Sequence, residues 1–103
     1  MQNIIEQKKE ELKKICETLQ IKKLYAFGSV VSSDKFNDES DLDFLIAFKE
    51  NISPELYSDN YFRLHYKLRE IFDREVDIIT ERSLSNPYFI ENINKNKVLI
   101  YES

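Results

Sequence analysis

The sequence predicts a small α/β (α+β) domain, in which helices pack on one mixed β-sheet. Three observations predict it: short apolar runs alternate with longer amphipathic segments, no linker or repeat divides the chain, and 103 residues suffice for one core. We therefore expect residues 1–103 to form a single domain, with an N-terminal helix over residues 1–20 and a core over residues 21–101.

Four short apolar runs predict the strands. They are rich in β-branched and aromatic residues, and polar residues bound them. The predicted strands cover residues 22–27, 41–48, 75–80 and 97–101.

Three longer segments predict helices. Residues 2–19 place apolar side chains on one helical face among Glu and Lys. Ser53-Pro54 and Asn86-Pro87 each combine a capping side chain with a proline at the first helical position. These two pairs predict helices over residues 54–72 and 87–95.

Composition and charge argue against several classes of protein. Fifteen Lys and Arg against nineteen Asp and Glu give a net charge of −4, which disfavours generic nucleic-acid binding. No apolar run approaches the roughly 20 residues of a membrane-spanning helix, and the first residues do not resemble a signal peptide. The single cysteine, Cys16, cannot form an internal disulfide, so we expect a cytoplasmic protein.

Three aspartates stand at or within predicted strands. Asp41 and Asp43 lie two apart at the start of the second strand, so both side chains point the same way. Asp77 lies inside the apolar third strand, where an isolated charge needs a partner. If the two strands are neighbours, the three carboxylates converge and need a cation among them. Oxygen ligands favour Mg²⁺ or Mn²⁺, so the three acids suggest a metal–nucleotide site.

Each aspartate taken singly also has a simpler interpretation. Asp41 and Asp43 would be an acidic loop that enters a strand, because Asp-x-Asp is common by chance. Asp77 would face water at a sheet edge, or pair with Arg74 or Arg82.

The single glycine of the chain follows the first predicted strand directly, as Gly28-Ser29. Average usage of about 7% would give roughly seven glycines, which makes this position informative. A strand followed by Gly and Ser can present backbone N–H groups and a hydroxyl to a phosphate, because glycine allows close approach. The simpler interpretation is an ordinary turn at the end of a strand.

The ordered set Gly28-Ser29, Asp41-Leu42-Asp43 and Asp77 resembles the nucleotidyltransferase superfamily with the DNA polymerase β-type palm. The resemblance covers about residues 20–101, and the short chain is similar to the minimal nucleotidyltransferases (MNT). It implies a palm-like fold, with residues 21–101 as the catalytic core.

The resemblance also implies a reaction, the transfer of AMP from ATP to a hydroxyl. Asp41, Asp43 and Asp77 would be the catalytic residues and would hold two Mg²⁺ ions, with Mn²⁺ as an alternative. Gly28 and Ser29 would bind the nucleotide phosphates. Asp77 would lie nearest the acceptor hydroxyl and assist its deprotonation.

A partner is implied as well, because minimal members commonly pair with a helical HEPN-domain toxin. The expected acceptor is a tyrosine of that toxin, with this chain as the antitoxin of a toxin–antitoxin system. Two alternatives stay open: a catalytically idle antitoxin that neutralises its partner by contact, and an enzyme that modifies a small antibiotic-like hydroxyl. Homo-oligomer formation, the nucleotide preference, and whether Tyr88 and Phe89 are core or interface stay open too.

The loop after Gly28-Ser29 departs from the family pattern. Residues 30–40 make a spacer of eleven residues, one more than is usual, and Val30-Val31-Ser32-Ser33 stands where family members often carry arginines. Lys35, or a basic group of another chain, would then have to hold the triphosphate. We therefore expect an activity that is weak or depends on a partner.

Overall fold

The structure is a computed structural model that describes residues 3–31 and 36–103. Lys35, which the sequence offered as a group that could hold the triphosphate, lies outside the described residues, as do Ser32 and Ser33. The elements are, in chain order, α1 (Asn3–Gln7), α2 (Lys9–Thr18), β1 (Ile21–Phe27), β2 (Leu42–Phe48), α3 (Pro54–Phe72), β3 (Val76–Thr80), α4 (Pro87–Asn96) and β4 (Val98–Glu102).

The predicted fold class is confirmed, and each predicted strand lies within one residue of its expected bounds. The first predicted helix differs, because it is interrupted at Lys8. The Lys8 N–H donates to the Ile5 carbonyl at 3.1 Å in a turn, and α2 begins at the next residue. Ile5 and Leu12 are both fully buried, so the amphipathic face persists on either side of the break.

The sheet has the strand order β3-β2-β1-β4. Strand β1 runs antiparallel to β2 and β4, whereas β2 and β3 are parallel and are connected through α3. Parallel neighbours need such a crossover, because a tight turn cannot join them. This topology brings the end of β1 and the beginnings of β2 and β3 to the same end of the sheet.

The two faces of the sheet are covered unequally. Helices α2 and α3 cover one face, where Phe44 packs in the main core and stacks on Phe72 at 6.1 Å between ring centroids. The other face has a smaller cluster of Phe27, Leu45 and Ile93 beneath α4. Alternation along β2 places Asp43 on this less covered face, beside Leu45.

Helix α3 covers the outer edge of β3. The Tyr61 hydroxyl donates to the Ile78 carbonyl at 3.0 Å, and His65 Nε2 lies 3.1 Å from the Val76 carbonyl. A carbonyl can only accept, so Nε2 carries the proton in this contact. Residues four apart share a helix face, so the two side chains together satisfy carbonyls that an edge strand would otherwise expose.

The predicted helix starts are capped as the sequence indicates. The Ser53 hydroxyl accepts from the Leu56 N–H at 3.2 Å, and the Asn86 side chain accepts from the N–H groups of Tyr88 and Phe89. In residues 3–31 and 36–103, no helix is both long enough and apolar enough to cross a membrane.

Candidate active site

Strands β2 and β3 place two of the predicted site carboxylates side by side. Asp43 is the register partner of Asp77 in the parallel pair, so both side chains leave the same face of the sheet. Neighbouring strands are about 4.8 Å apart, which sets the scale of this approach. Asp41 lies one residue before β2 and is exposed. The three aspartates thus lie at one end of the sheet.

Asp77 lies on the edge strand β3 and its side chain is exposed, as the simpler of the two sequence interpretations predicted. The other interpretation, a buried carboxylate in need of a partner, is wrong. The alternative partners are engaged elsewhere, since Arg74 contacts loop carbonyls and Arg82 stacks over the Tyr57 ring. Asp77 is therefore free to meet a group that arrives from solvent, as far as the described residues show.

Gly28 packs directly against Asp43. Gly28 begins a 3₁₀ turn over Gly28–Val30 immediately after β1, and the Val31 N–H donates to its carbonyl at 3.1 Å. Its φ of +75° is a left-handed conformation that other residues adopt at a cost. A Cβ at this position would also collide with Asp43 Oδ2 and would lie 3.2 Å from Asp43 Cγ. Glycine is thus required at position 28 both by its backbone conformation and by the closeness of Asp43. The turn that begins with Gly28 and Ser29 borders the Asp43 carboxylate.

The site accumulates negative charge. Burial, and to a smaller extent the carboxylates of Asp77 and Asp41, together raise the pKa of Asp43 from 3.8 to about 6. Among residues 3–31 and 36–103, no Lys or Arg forms an ion pair with any of these three aspartates. This arrangement therefore favours a cationic ligand.

The carboxylates fit a hard divalent cation. No three His, Cys, Asp or Glu side chains of the described part are close enough to hold an ion as they stand. Mg²⁺ needs fewer protein ligands, because it is usually bound through one or two carboxylates, with water and substrate phosphates completing its shell. The adjacent Asp43 and Asp77, with Asp41 nearby, meet that requirement.

The loop before Asp41 is fixed by a residue that the sequence did not single out for this purpose. Arg74 Nη1 donates to the carbonyls of Asn37 at 3.1 Å and Ser40 at 2.9 Å, and the guanidinium lies over the Phe36 ring at 4.8 Å. The sequence offered only its position just before the strand of Asp77 as a signal.

A cleft of about 280 Å³ opens beside the Gly28 turn. Phe27 and Gly28 form one wall and α4 the other, where the Phe89 ring meets the Phe27 ring edge-on at 6.5 Å. Tyr88, next to Phe89, is 83% exposed. Neither aromatic residue of α4 belongs to the main core, and Phe89 borders the end of the sheet that carries the aspartates.

A comparison with protein families matches residues 10–103 to the model described as polymerase beta, nucleotidyltransferase. The chain belongs to this nucleotidyltransferase family. The match agrees with the resemblance drawn from Gly28-Ser29 and the three aspartates, and it covers most of the chain.

Two curated relatives of this nucleotidyltransferase come from Methanocaldococcus jannaschii. One is 31% identical over 80 residues, which cover 78% of this chain and 77% of the relative. The other is 30% identical over 102 residues, which cover 97% and 94% of the two chains. Both are named, provisionally, as protein adenylyltransferases.

Three solved structures share the nucleotidyltransferase fold. A chain named provisionally as a minimal nucleotidyltransferase is 27% identical, with a TM-score of 0.73 over 90% of this chain and 89% of that one. A toxin–antitoxin structure with AMP-PNP has 18% identity and a TM-score of 0.69, over 92% and 73% of the chains. A chain in the structure of a tri-AMPylated Shewanella oneidensis HEPN toxin in complex with MNT antitoxin is 16% identical, with a TM-score of 0.65 over 96% of this chain and 73% of that one. The last two similarities show the fold alone.

Proposed function

We propose that this nucleotidyltransferase transfers AMP from ATP to a tyrosine hydroxyl of a HEPN-type toxin, and thereby acts as the antitoxin of that toxin. The observation that carries the proposal is the pairing of Asp43 with Asp77 beside the Gly28 turn. The provisional names of the two relatives support adenylyl transfer to a protein. The toxin–antitoxin complexes that share the fold support the class of partner and the nucleotide.

Each site residue has a role in this proposal. Gly28 and Ser29 would hold the nucleotide phosphates, because the turn they begin borders the Asp43 carboxylate. Asp41, Asp43 and Asp77 would hold Mg²⁺, or Mn²⁺ in its place. The bound cation would neutralise phosphate charge and stabilise the oxygens that attack and leave.

Asp77 is the carboxylate best placed to act on the acceptor. It is exposed on the edge strand β3, so a hydroxyl presented by another protein can reach it. In the proposed reaction the hydroxyl oxygen bonds to the α-phosphorus of ATP, and the bond to the β-phosphate oxygen breaks. The hydroxyl proton passes to Asp77 or to water, and pyrophosphate leaves.

Exposed aromatic residues at this end of the sheet favour a protein partner. Phe89 lies on α4 beside the Gly28 turn and is 41% exposed, and Tyr88, which precedes it on the helix, is 83% exposed. Aromatic side chains are enriched in protein–protein interfaces. We assign these two aromatic residues to the contact with the partner.

We assign the reaction to the reducing cytoplasm, where the buried free thiol of Cys16 would stay reduced.

The test is intact mass spectrometry of a HEPN-domain protein from the same genome, after incubation with this chain, ATP and Mg²⁺. We expect the partner to gain one or more AMP units, and tandem mass spectrometry to locate them on tyrosine. The Asp41→Asn/Asp43→Asn variant is the control and should give no gain. Transfer by this variant at the wild-type rate would overturn the assignment of the aspartates.

Two further outcomes would replace the proposal. A stable complex with no AMP on the partner would favour an antitoxin that neutralises by contact. AMP transfer to a small hydroxylated molecule, with none to protein, would favour a small-molecule enzyme. Size-exclusion chromatography of the same mixture shows whether the complex forms and whether the chain associates with itself.

A further inference from the structure

Arg74 connects the turn between α3 and β3 to the loop that leads into β2. One terminal nitrogen of its guanidinium, Nη1, donates to the carbonyls of Asn37 and Ser40, at 3.1 and 2.9 Å. The guanidinium carbon lies 4.8 Å from the centre of the Phe36 ring. The Arg74 side chain thus contacts the loop at three points, two carbonyls and one aromatic ring. Its hydrogen bonds come from a charged donor, and such bonds are roughly twice as strong as those between neutral groups.

The loop is folded against itself around the same carbonyls. The Ser40 N–H donates to the Asn37 carbonyl, the Asn37 N–H donates to the Ser40 hydroxyl, and the Glu39 N–H donates to the Asn37 side chain. These bonds close a local turn, of which Phe36 packs against the main core. Arg74 adds contacts that tie this turn to the segment that leads into β3.

The contact between Arg74 and the loop over residues 36–40, here called the Arg74 clamp, lies close in sequence to two of the site carboxylates. Asp41 follows Ser40 directly, and Asp77 lies three residues after Arg74 in the strand beside β2. The Leu42 N–H donates to the Glu75 carbonyl at 3.1 Å, so the same two segments are also joined one residue further on. Asp41 itself is exposed, and no described residue pairs with its carboxylate.

From this geometry we infer that Arg74 is a positioning residue, which fixes the loop over residues 36–40 and thereby sets the position of the Asp41 carboxylate relative to Asp43 and Asp77. The inference deepens the proposed function, because Asp41 matters only if these carboxylates bind a cation. An arginine suits this position because one guanidinium nitrogen donates to both carbonyls while the planar group stacks on the Phe36 ring, and a lysine ammonium has no planar face for that stacking.

The test compares Arg74→Gln and Arg74→Lys with a matched control, Arg82→Gln. Arg82 also stacks over an aromatic ring at 4.8 Å, that of Tyr57, but lies beyond the other end of β3. Two quantities are measured on each folded variant: amide hydrogen exchange at Ser40 and Leu42 by NMR, and the dissociation constant of Mn²⁺ by paramagnetic titration.

We expect Arg74→Gln to accelerate exchange at Ser40 at least tenfold and to weaken Mn²⁺ binding by about tenfold, with Arg74→Lys intermediate and Arg82→Gln unchanged. An unaltered exchange rate of the Ser40 amide in Arg74→Gln would overturn the inference that Arg74 fixes the loop. Faster exchange with an unaltered dissociation constant for Mn²⁺ would overturn the inference that Arg74 sets the position of the Asp41 carboxylate. Failure of the wild-type protein to bind Mn²⁺ would count against the proposed function, whereas the exchange data would still decide whether Arg74 holds the loop.

Discussion

Gly28 and Asp43 approach so closely that a side chain does not fit between them. A Cβ on residue 28 would collide with the carboxylate oxygen Oδ2 of Asp43, and the backbone there is left-handed as well. The turn that follows β1 and the carboxylate of the second residue of β2 therefore form one packed unit, although fifteen positions separate Gly28 from Asp43 in the chain.

We expect Gly28→Ala to destabilise the fold by about 2 kcal/mol or more, because the left-handed conformation alone costs roughly 1–2 kcal/mol for an L-residue and the collision adds to it. Urea unfolding measures this loss. In an Asp43→Ala background the collision is absent, so the same substitution should cost only the backbone part. An equal loss in both backgrounds would show that Asp43 is not the obstacle.

The contribution of Asp43 to the stability of the protein should fall as the pH rises through the range in which this carboxyl ionises. Its pKa is raised from 3.8 to about 6 on folding, so the folded state binds this proton more tightly than the unfolded chain does. That contribution is fully present below about pH 4 and is lost as the pH passes about 6. The free energy of unfolding of the wild type minus that of Asp43→Asn should show this decline. A difference that stays flat or rises over this range would contradict it.

Divalent cations should stabilise the wild-type protein more at pH 7.5 than at pH 5. A cation and a proton compete for the Asp43 carboxylate, and a ligand that binds only the folded state raises its melting temperature. Thermal unfolding with and without Mg²⁺ or Mn²⁺ measures the shift. Asp43→Asn is the control and should lose most of it, so an equal shift in that variant would place the cation elsewhere.

Tyr61→Phe should destabilise the protein by about 1 kcal/mol, since it leaves the Ile78 carbonyl at the sheet edge without its hydroxyl donor. Burial, together with the Asp77 carboxylate and Tyr57, raises the pKa of Tyr61, so the hydroxyl remains a donor at neutral pH. Tyr66→Phe on the same helix is the matched control, because Tyr66 is 74% exposed. Urea unfolding should leave that control within about 0.5 kcal/mol of the wild type. Equal losses in the two variants would argue against the edge contact.

Most of the secondary structure could be predicted from local patterns, for identifiable reasons. The helix starts at Pro54 and Pro87 depend on a capping side chain and a fixed proline φ, which act within three residues. The break at Lys8 could not be predicted, because the apolar spacing of residues 2–19 continues across it and a single turn leaves that spacing almost unchanged.

The candidate site was predicted in composition but not in geometry. Gly28, Asp41, Asp43 and Asp77 could be selected from their residue types and their order along the chain. The exposure of Asp77 was one of two interpretations that the sequence left open, because an apolar strand has the same sequence pattern in the centre of a sheet and at its edge. The role of Arg74 was missed for a similar reason, since its two carbonyl acceptors lie more than thirty residues away along the chain.

The sequence by itself determined the class of the fold, the family and the types of group at the site, because these depend on local periodicity and on an ordered set of short motifs. Only the tertiary structure decided that β2 and β3 are parallel neighbours in register, and that β3 forms the edge. Strand order and register arise from the packing of elements distant in the chain, and local propensity does not encode them. That packing sets Asp43 beside Asp77 and against Gly28, and leaves Asp77 open to solvent.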